Sequence, residues 1–357
     1  MKALQLLFLT YIDARQAASG SSVRPAKMLQ AFRDLGCEVH LVTGRNNQLQ
    51  TRFQAVRSTL RWLKDHNPDC CYVEPPSGPF FCILDHWLLF RLRMKKVPMA
   101  IFIRDAFWKV PETWGVTGVK SLILHLMSRF DWLVLNRTMS RLYFPSKSMA
   151  RLFPTKLPVS ELPPAGEAIS FVESASDSAK PLALIYVGAV AKRYGTDLLL
   201  DAFARLAQAG QPLILNLVCR QQEWDDLKMS GKDTPGLQIH HVSGAELAIL
   251  YLSCDIALIP IRKSRYMDFA VPVKLYEYLS YHLPMVVTDC LETARFVSEN
   301  NLGVVTKSDA EDFAQGIMKL AADVSLRQAI KSQARCVLAD GNLWVDRARQ
   351  VIRDLTE

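Results

Sequence analysis

Three polar side chains, Lys274, Glu277 and Tyr281, recur three and four residues apart between Pro272 and Pro284. Proline is tolerated at a helix entrance and closes a helix exit, so the two prolines predict a short helix between them. This spacing places the three polar side chains on one face. A lysine in the first helical turn costs roughly a few tenths of a kcal/mol beside unpaired N–H groups, and a bound anion reverses that cost. The stretch therefore predicts an anion site with a carboxylate one turn away.

Basic and small residues also follow several apolar runs, where doubly wound sheets bind their ligands. In chain order these residues are Gly20, in a small-residue loop at 19–27 that enters a helix, Arg104 with Asp105, then Gly188, Lys192, Arg193, Arg220, Arg262 and Tyr266. A diphosphate leaving group needs its developing negative charge stabilised, and lysine, arginine and a helix start supply this without a metal. The alternative is that single basic residues at loop tips only confer solubility.

The chain must contain elements that hold these residues at the ends of strands. A chain of 357 residues is longer than a domain with one hydrophobic core usually is, which predicts two domains. Its apolar runs alternate with helical patterns, which predicts parallel α/β sheets. The predicted strands are 4–11, 39–43, 70–73, 99–103 and 132–135 in the first series, and 182–187, 213–219, 237–242, 256–261 and 285–288 in the second.

A proline-rich segment at 153–164 and a polar stretch reaching 181 separate the two series. We predict a first domain at 1–165, a linker at 166–181, a second domain at 182–340 and a terminal helix within 341–357. The fold class is α/β, with two Rossmann-like doubly wound domains facing a cleft.

The eight cysteines lack the paired spacing and the histidine partners of a zinc site. They predict buried, reduced thiols in a cytosolic protein, and no carboxylate cluster predicts a metal. The apolar opening at 4–12 is short and precedes Asp13, so we interpret it as a buried strand and not as a signal peptide. No run is long enough to span a bilayer.

Positive charge is concentrated in the first half. Residues 1–170 carry 23 Lys and Arg against 12 Asp and Glu, and the remainder carries 20 against 23. This asymmetry fits an anionic partner for the first domain, either a membrane surface or nucleic acid, and the alternative is a merely soluble basic face. The segment 86–96 resembles an interfacial helix, although a core helix with a basic end fits equally well. Nucleic acid is disfavoured because no recognised binding module is present.

The whole chain resembles a retaining glycosyltransferase of family four, with the two-domain GT-B fold. The most specific segment is Pro272-Val-Lys274-Leu-Tyr-Glu277-Tyr, which is similar to that family's donor-binding Pro-x-Lys-x-x-Glu-Tyr motif. Tyr251 and the Tyr-Val-Gly188 sequence also match its C-terminal domain. The resemblance implies that the terminal helix crosses back onto the first domain.

The resemblance also implies roles for individual residues. Glu277 would bind the donor ribose hydroxyls, Val273 and Lys274 would lie beside the diphosphate, and Val242 would line the base pocket. Two departures stand out. Many family members carry a second glutamate where this chain has Phe269, and many have Arg directly after the glycine that corresponds to Gly188, where this chain has Ala189.

We therefore expect glycosyl transfer, with retention, from a nucleotide sugar to a hydroxyl of a glycan or lipid-linked glycan. No metal and no cofactor beyond the nucleotide sugar substrate are expected. The diphosphate itself would take the acceptor proton, with Asp105 as the alternative base, and Arg104 and Lys274 as the other catalytic candidates. The expected location is cytoplasmic, peripheral on the inner face of a membrane. The alternatives are a nucleotide-sugar epimerase and a catalytically silent nucleotide-sugar-binding protein.

Overall fold

The computed structural model describes residues 3–11, 20–44, 48–75, 77–80, 82–110, 115–171, 181–228 and 231–357. The chain divides into two compact units. Unit 1 contains residues 1–164 and 344–357, and unit 2 contains residues 165–343. Most of the polar stretch at 166–181, which we predicted as the linker, lies outside the described residues.

Unit 1 alternates strands and helices, as its apolar runs predicted. Its elements are β1 (Gln5–Thr10), α1 (Gly20–Asp34), β2 (Glu38–Val42), α2 (Leu49–Trp62), β3 (Cys70–Glu74), α3 (Ile83–Met94), β4 (Met99–Phe102), α4 (Gly118–Thr138), β5 (Arg141–Phe144), α5 (Lys147–Ala150), β6 (Val159–Glu161) and α14 (Trp344–Thr356).

The described strands of unit 1 form a parallel sheet in the order β2-β1-β3-β4-β5-β6. The strand order reverses between β1 and β3, which makes that edge the topological switch point of the sheet. Glu74 ends β3 there and is 2% exposed. Its carboxylate accepts hydrogen bonds from Tyr72 at 3.0 Å and from Arg24 at 3.2 Å.

The terminal helix α14 is part of unit 1 and is anchored by polar contacts. The Arg347 guanidinium donates to the carbonyl oxygens of Pro163 and Pro164 at 3.2 Å each. Tyr143 on β5 donates to Asp354 at 2.8 Å. The last helix of the chain therefore completes the unit that contains its first strands.

Unit 2 repeats the alternation with more helices. Its elements are β7 (Leu182–Val187), α6 (Thr196–Gln208), β8 (Leu213–Val218), α7 (Gln221–Asp225), β9 (Leu237–His240), α8 (Gly244–Ser253), β10 (Ile256–Ile259), α9 (Arg265–Phe269), α10 (Val273–Ser280), β11 (Met285–Thr288), α11 (Leu291–Glu299), β12 (Gly303–Thr306), α12 (Ala310–Ala322) and α13 (Val324–Ala339).

The described strands of unit 2 are also parallel, in the order β12-β11-β10-β7-β8-β9. This order is the Rossmann order, with its switch point between β7 and β10. Side chains of β7 alternate between two cores because successive strand residues point to opposite faces. Tyr186 packs in the core that contains α6 and α12, whereas Ile185 packs in the core that contains α10 and α13. The predicted class, two doubly wound α/β domains, is confirmed.

One predicted strand is wrong, and one predicted helix begins earlier than expected. Residues 132–135 are not a strand but part of α4, and β5 follows at 141–144. A short apolar run does not distinguish a strand from a helix segment, which explains the error. The segment 19–27, predicted as a loop that enters a helix, is already helical from Gly20, since α1 begins there and runs through Pro25.

The cysteine prediction holds at seven of eight positions. Each cysteine is a free thiol, and only Cys336 is exposed. It lies on the outer face of α13, where its sequence neighbourhood gave no sign of exposure. No helix in the described ranges is long and apolar enough to cross a bilayer.

Candidate active site

The helix predicted between Pro272 and Pro284 is α10, and its start lies beside the end of β7, at the switch point of unit 2. Pro272 precedes the helix in an extended conformation, and no side chain caps its first turn. The first backbone N–H groups of a helix have no partner within it, so they are available to an acceptor. Tyr278, one turn after Lys274 on the same face of α10, accepts a hydrogen bond from the Val187 N–H at 3.0 Å, which ties the helix to the end of β7.

Lys274 in the first turn of α10 is half-buried and points towards the residues that follow β7. Its Nζ lies 4.1 Å from the centroid of the Tyr186 ring. Burial lowers the pKa of Lys274 to about 7, and the negative charge of Glu277 opposes that shift. A lysine in this environment gains from any anion that restores its charge.

Gly188, directly after β7, leaves the space that the Lys274 ammonium occupies. Its φ is +146°, and an added Cβ would lie 3.2 Å from Lys274 Nζ and 3.5 Å from Tyr186 Oη. A side chain at this position would be strained and would crowd the ammonium. The predicted site residues Gly188 and Lys274 are therefore brought together, although 86 positions separate them in the sequence.

Glu277 lies one turn further along α10 and is held by an aromatic neighbour. The Tyr251 hydroxyl donates to Glu277 Oε2 at 3.2 Å. Tyr251 is buried and its ring stacks on that of Tyr281, with centroids 4.5 Å apart. Burial, and then the charge of Glu277, raise the pKa of Tyr251 well above its usual value, so this hydroxyl remains a donor. Val242, beyond the end of β9, packs against the same apolar cluster as Tyr251.

The other basic residues of unit 2 do not gather at α10 in the way that we predicted. Arg262 is already paired, with its Nη2 2.9 Å from Asp197 and its Nη1 donating to the Ser308 carbonyl at 3.2 Å. Arg220 is exposed and forms a 3.4 Å ion pair with Glu223.

Lys192 and Arg193 lie in an exposed 3₁₀ turn at Lys192–Tyr194, where the Arg193 guanidinium lies 4.7 Å from the Tyr194 ring centroid. This turn continues into Gly195, where a Cβ would overlap the Pro260 carbonyl oxygen after β10. The turn is therefore packed against the switch point, with its cations directed to solvent.

The position of the absent family glutamate is apolar in structure as well as in sequence. Phe269 is buried and packs edge-on against Tyr266, with ring centroids 5.0 Å apart. The neighbouring Asp268 accepts a hydrogen bond from the Leu291 N–H at 3.0 Å, at the first residue of α11. The Asp268 carboxylate thus already accepts a hydrogen bond from the first residue of α11.

In unit 1, Arg104 and Asp105 follow β4, with Arg104 Nε 3.5 Å from Asp105 Oδ2. Both line an open surface pocket, together with Trp108 and Trp132. Gly20 begins α1 at the other side of this sheet's switch point. Glu74 was missed by the sequence reasoning, although it follows an apolar run by the same rule that found Arg104. Burial raises the pKa of Glu74, and Arg24 and Arg104 oppose that shift.

Residues 181–323 match the family model described as Glycosyl transferases group 1. This segment is similar to a group 1 glycosyltransferase domain. Gly188, Lys274, Glu277 and Tyr251 all lie within it. The family resemblance that the α10 motif indicated is therefore confirmed. None of the curated protein sequences compared with this chain matches it significantly.

Solved structures resemble the chain over nearly its whole length. WaaG, a glycosyltransferase involved in lipopolysaccharide biosynthesis, has a TM-score of 0.68 at 14% identity over 98% of this chain and 99% of that chain. Anabaena Alr3699/HepE in complex with UDP-glucose has a TM-score of 0.68 at 14% identity over 99% of both chains. The E. coli trehalose-6-phosphate structure bound with UDP-2-fluoro glucose has a TM-score of 0.62 at 11% identity, again over 99% of both. These likenesses establish the GT-B fold.

Proposed function

We propose that this protein transfers a sugar from a nucleotide diphosphate sugar to a hydroxyl of a glycan or lipid-linked glycan, with retention at the anomeric carbon. The observation that carries the proposal is the start of α10, where an uncapped helix turn, Lys274 and Glu277 lie beside Gly188 within the glycosyltransferase domain. A helix start with a lysine binds phosphate groups, and a carboxylate accepts hydrogen bonds from ribose hydroxyls.

In the proposed complex the diphosphate binds at the open N–H groups of α10 beside Lys274, and Gly188 leaves room for it. Glu277 accepts hydrogen bonds from the ribose hydroxyls while Tyr251 holds its other side. Val242 lines the base pocket, and Val273 lies beside the diphosphate in the first turn of α10. Lys192, Arg193, Arg220 and Arg262 remain proposed donor contacts that would have to leave their present positions or partners.

Departure of the diphosphate is the step that this arrangement favours. The helix start and Lys274 stabilise negative charge as the bond to the sugar breaks, which supports a metal-independent reaction. A diphosphate oxygen takes the acceptor proton, and Asp105 in the pocket of unit 1 is the alternative base. We propose that the acceptor binds in that pocket, beside Arg104.

The test is Glu277→Ala, assayed for donor affinity and for transfer. Loss of a charged hydrogen-bond acceptor costs about 1.5–3 kcal/mol, so the nucleotide should bind about ten- to a hundredfold more weakly. UDP-glucose is the first donor to use because a structural neighbour was solved with it. GDP- and ADP-sugars follow, with product mass and the anomeric configuration by NMR as readouts.

The matched control is Glu299→Ala, which removes an exposed carboxylate from the last turn of α11. This control should bind and transfer like the wild-type protein. Unchanged affinity and unchanged transfer in Glu277→Ala would refute the proposed donor site. An inverted product would refute retention alone.

A silent nucleotide-sugar-binding protein is the second candidate, and one observation favours it. Phe269 is buried where many family members place a glutamate, and Asp268 is bound to the Leu291 N–H. Donor binding that depends on Glu277, with no transfer to any acceptor and no hydrolysis, would support this candidate over the enzyme.

A lipid-linked acceptor would place the enzyme at a membrane surface. We propose a cytoplasmic, peripheral location, which accords with the positive charge of residues 1–170.

A further inference from the structure

Helix α4 carries its apolar side chains towards solvent instead of towards a core. Among its 21 residues, only Asp131, Leu135 and Thr138 are buried. Its exposed large apolar side chains range from 47% exposed at Phe130 to 74% at Val119. The exposed set is Val119, Leu122, Ile123, Leu126, Phe130 and Leu133.

Positions 119, 122, 126, 130 and 133 recur at intervals of three and four residues, and Ile123 lies four residues from Val119 and three from Leu126, so the six side chains form one stripe along the helix. In an ordinary surface helix such a stripe faces the core, as it does in α12, where Phe313, Ile317 and Leu320 are fully buried. A contiguous exposed stripe of this kind indicates a surface that another phase or molecule covers.

Helix α3 adds a second stripe beside the first. Ile83, Trp87, Phe90 and Met94 are each between 47% and 68% exposed and lie four, three and four residues apart. The two helices are joined where His86 Nε2 lies 2.7 Å from Asp131 Oδ1. The Phe130 ring lies 5.1 Å from the His86 ring, so the α4 stripe adjoins α3.

Exposed charge on both helices has a single sign. On α4, Lys120, Arg129 and Arg137 are exposed, while Asp131 is buried against His86. On α3, Arg91 and Arg93 are exposed, while Asp85 is fully buried and paired with Arg52 at 2.7 Å. The two acidic residues of these helices, Asp85 and Asp131, are buried and therefore do not offset the positive charge of the exposed faces.

We infer that the exposed faces of α3 and α4 form a docking surface for an anionic lipid bilayer. Apolar side chains that include Trp and Phe, bordered by basic residues alone, are the chemistry that enters the headgroup boundary of such a membrane. A second copy of this chain fits less well, because it would bring arginines and lysines of like charge together. The helices would lie in the plane of the interface, since neither is apolar enough to span it.

This inference deepens the proposed peripheral location and rests on that part of the proposed function, but not on the transfer reaction. The experiment is flotation of the full chain, without nucleotide, with vesicles of phosphatidylcholine alone or with about one third phosphatidylglycerol. We expect binding to the anionic vesicles that weakens with salt, because exposed charges are screened within about 10 Å at 0.1 M ionic strength.

The apolar test variant is Leu122→Ser with Leu126→Ser, and the matched control is Val324→Ser, which alters an apolar residue 53% exposed on α13 of unit 2. Removing two leucines from the interface should weaken vesicle binding by about tenfold or more, and the control should leave binding unchanged. The charge test is Arg129→Gln, expected to cost about fivefold on anionic vesicles only, with Lys319→Gln on α12 as its control.

Three results would overturn the inference: wild-type protein that does not float with anionic vesicles at low salt, a double variant that floats as well as wild type, or a dimer in solution that the double variant converts to a monomer. Thermal unfolding verifies that each variant is folded. Because Glu277→Ala should float normally, failure of the membrane surface and failure of the donor site give different results.

Discussion

At the scale of single residues, Lys274 lies where both burial and the helix start disfavour its charge. Its pKa of about 7 means that near neutral pH the free protein holds this amine only partly protonated. A diphosphate beside it would raise the pKa again by direct attraction. The Lys274 amine should therefore take up a proton when the donor binds.

This predicts a pH dependence with a definite sign. Below pH 7 the amine is charged before and after binding, so its contribution to affinity is complete. Above pH 7, binding requires protonation, and affinity for UDP should fall by up to about tenfold per pH unit. Calorimetry from pH 7 to 9, in two buffers of different ionisation enthalpy, measures both the affinity and the protons taken up.

The control variants separate charge from shape. Lys274→Arg keeps a permanent charge and should lose the pH dependence, whereas Lys274→Met should bind weakly at every pH. Wild-type affinity that stays constant from pH 7 to 9 would contradict the proposed contact.

At the scale of elements, α9, α10 and α11 position the site together. Asp268 on α9 binds the first N–H of α11, and Tyr278 on α10 binds the end of β7. The helices around the proposed donor site are thus tied by contacts from side chain to backbone, and Phe269 of α9 is buried.

Asp268 tests whether a nearby carboxylate replaces the absent glutamate. Asparagine still accepts the Leu291 hydrogen bond but carries no charge, so Asp268→Asn should retain stability and transfer within about threefold. Asp268→Ala leaves a helix start without its acceptor and should lower the free energy of unfolding by about 1 kcal/mol. Chemical denaturation and the transfer rate measure the two effects.

A large loss of transfer in Asp268→Asn, with stability unchanged, would show that the carboxylate has a role in the reaction. In that case Asp268 would leave the Leu291 N–H when the donor binds.

At the scale of the whole molecule, the chain ends in the unit where it began. Arg347 is 8% exposed and binds two carbonyl oxygens at the end of the first segment of unit 1. Residues 344–357 therefore stabilise unit 1, although the sequence places them after unit 2.

Arg347→Ala should destabilise unit 1 selectively. Two buried carbonyls lose a charged donor, at a cost of about 1–3 kcal/mol. Amide exchange should accelerate in β4 and β5 and stay unchanged in β10 and β11. Arg349→Ala is the control, because Arg349 on the same helix is exposed and pairs only with Asp346 among the contacts of the described residues. Equal acceleration in both units would contradict the prediction.

The sequence by itself determined most of the architecture and the helix at the centre of the proposed donor site. Alternating apolar runs predict strands because side-chain direction follows local periodicity, and nine of the ten predicted runs are strands. The helix at α10 followed from Pro272, Pro284 and the spacing of Lys274 and Glu277, all of which are local features.

Only the tertiary structure decided what each charged or apolar side chain contacts. Asp197 lies 65 positions from Arg262 in the sequence, yet its carboxylate pairs with the Arg262 guanidinium. The sequence had predicted that this guanidinium contacts the donor. The stripe on α4 has the same periodicity as a core helix, yet it faces solvent. Periodicity fixes which side chains share a face, but the direction of that face depends on packing between distant segments, which local sequence does not encode.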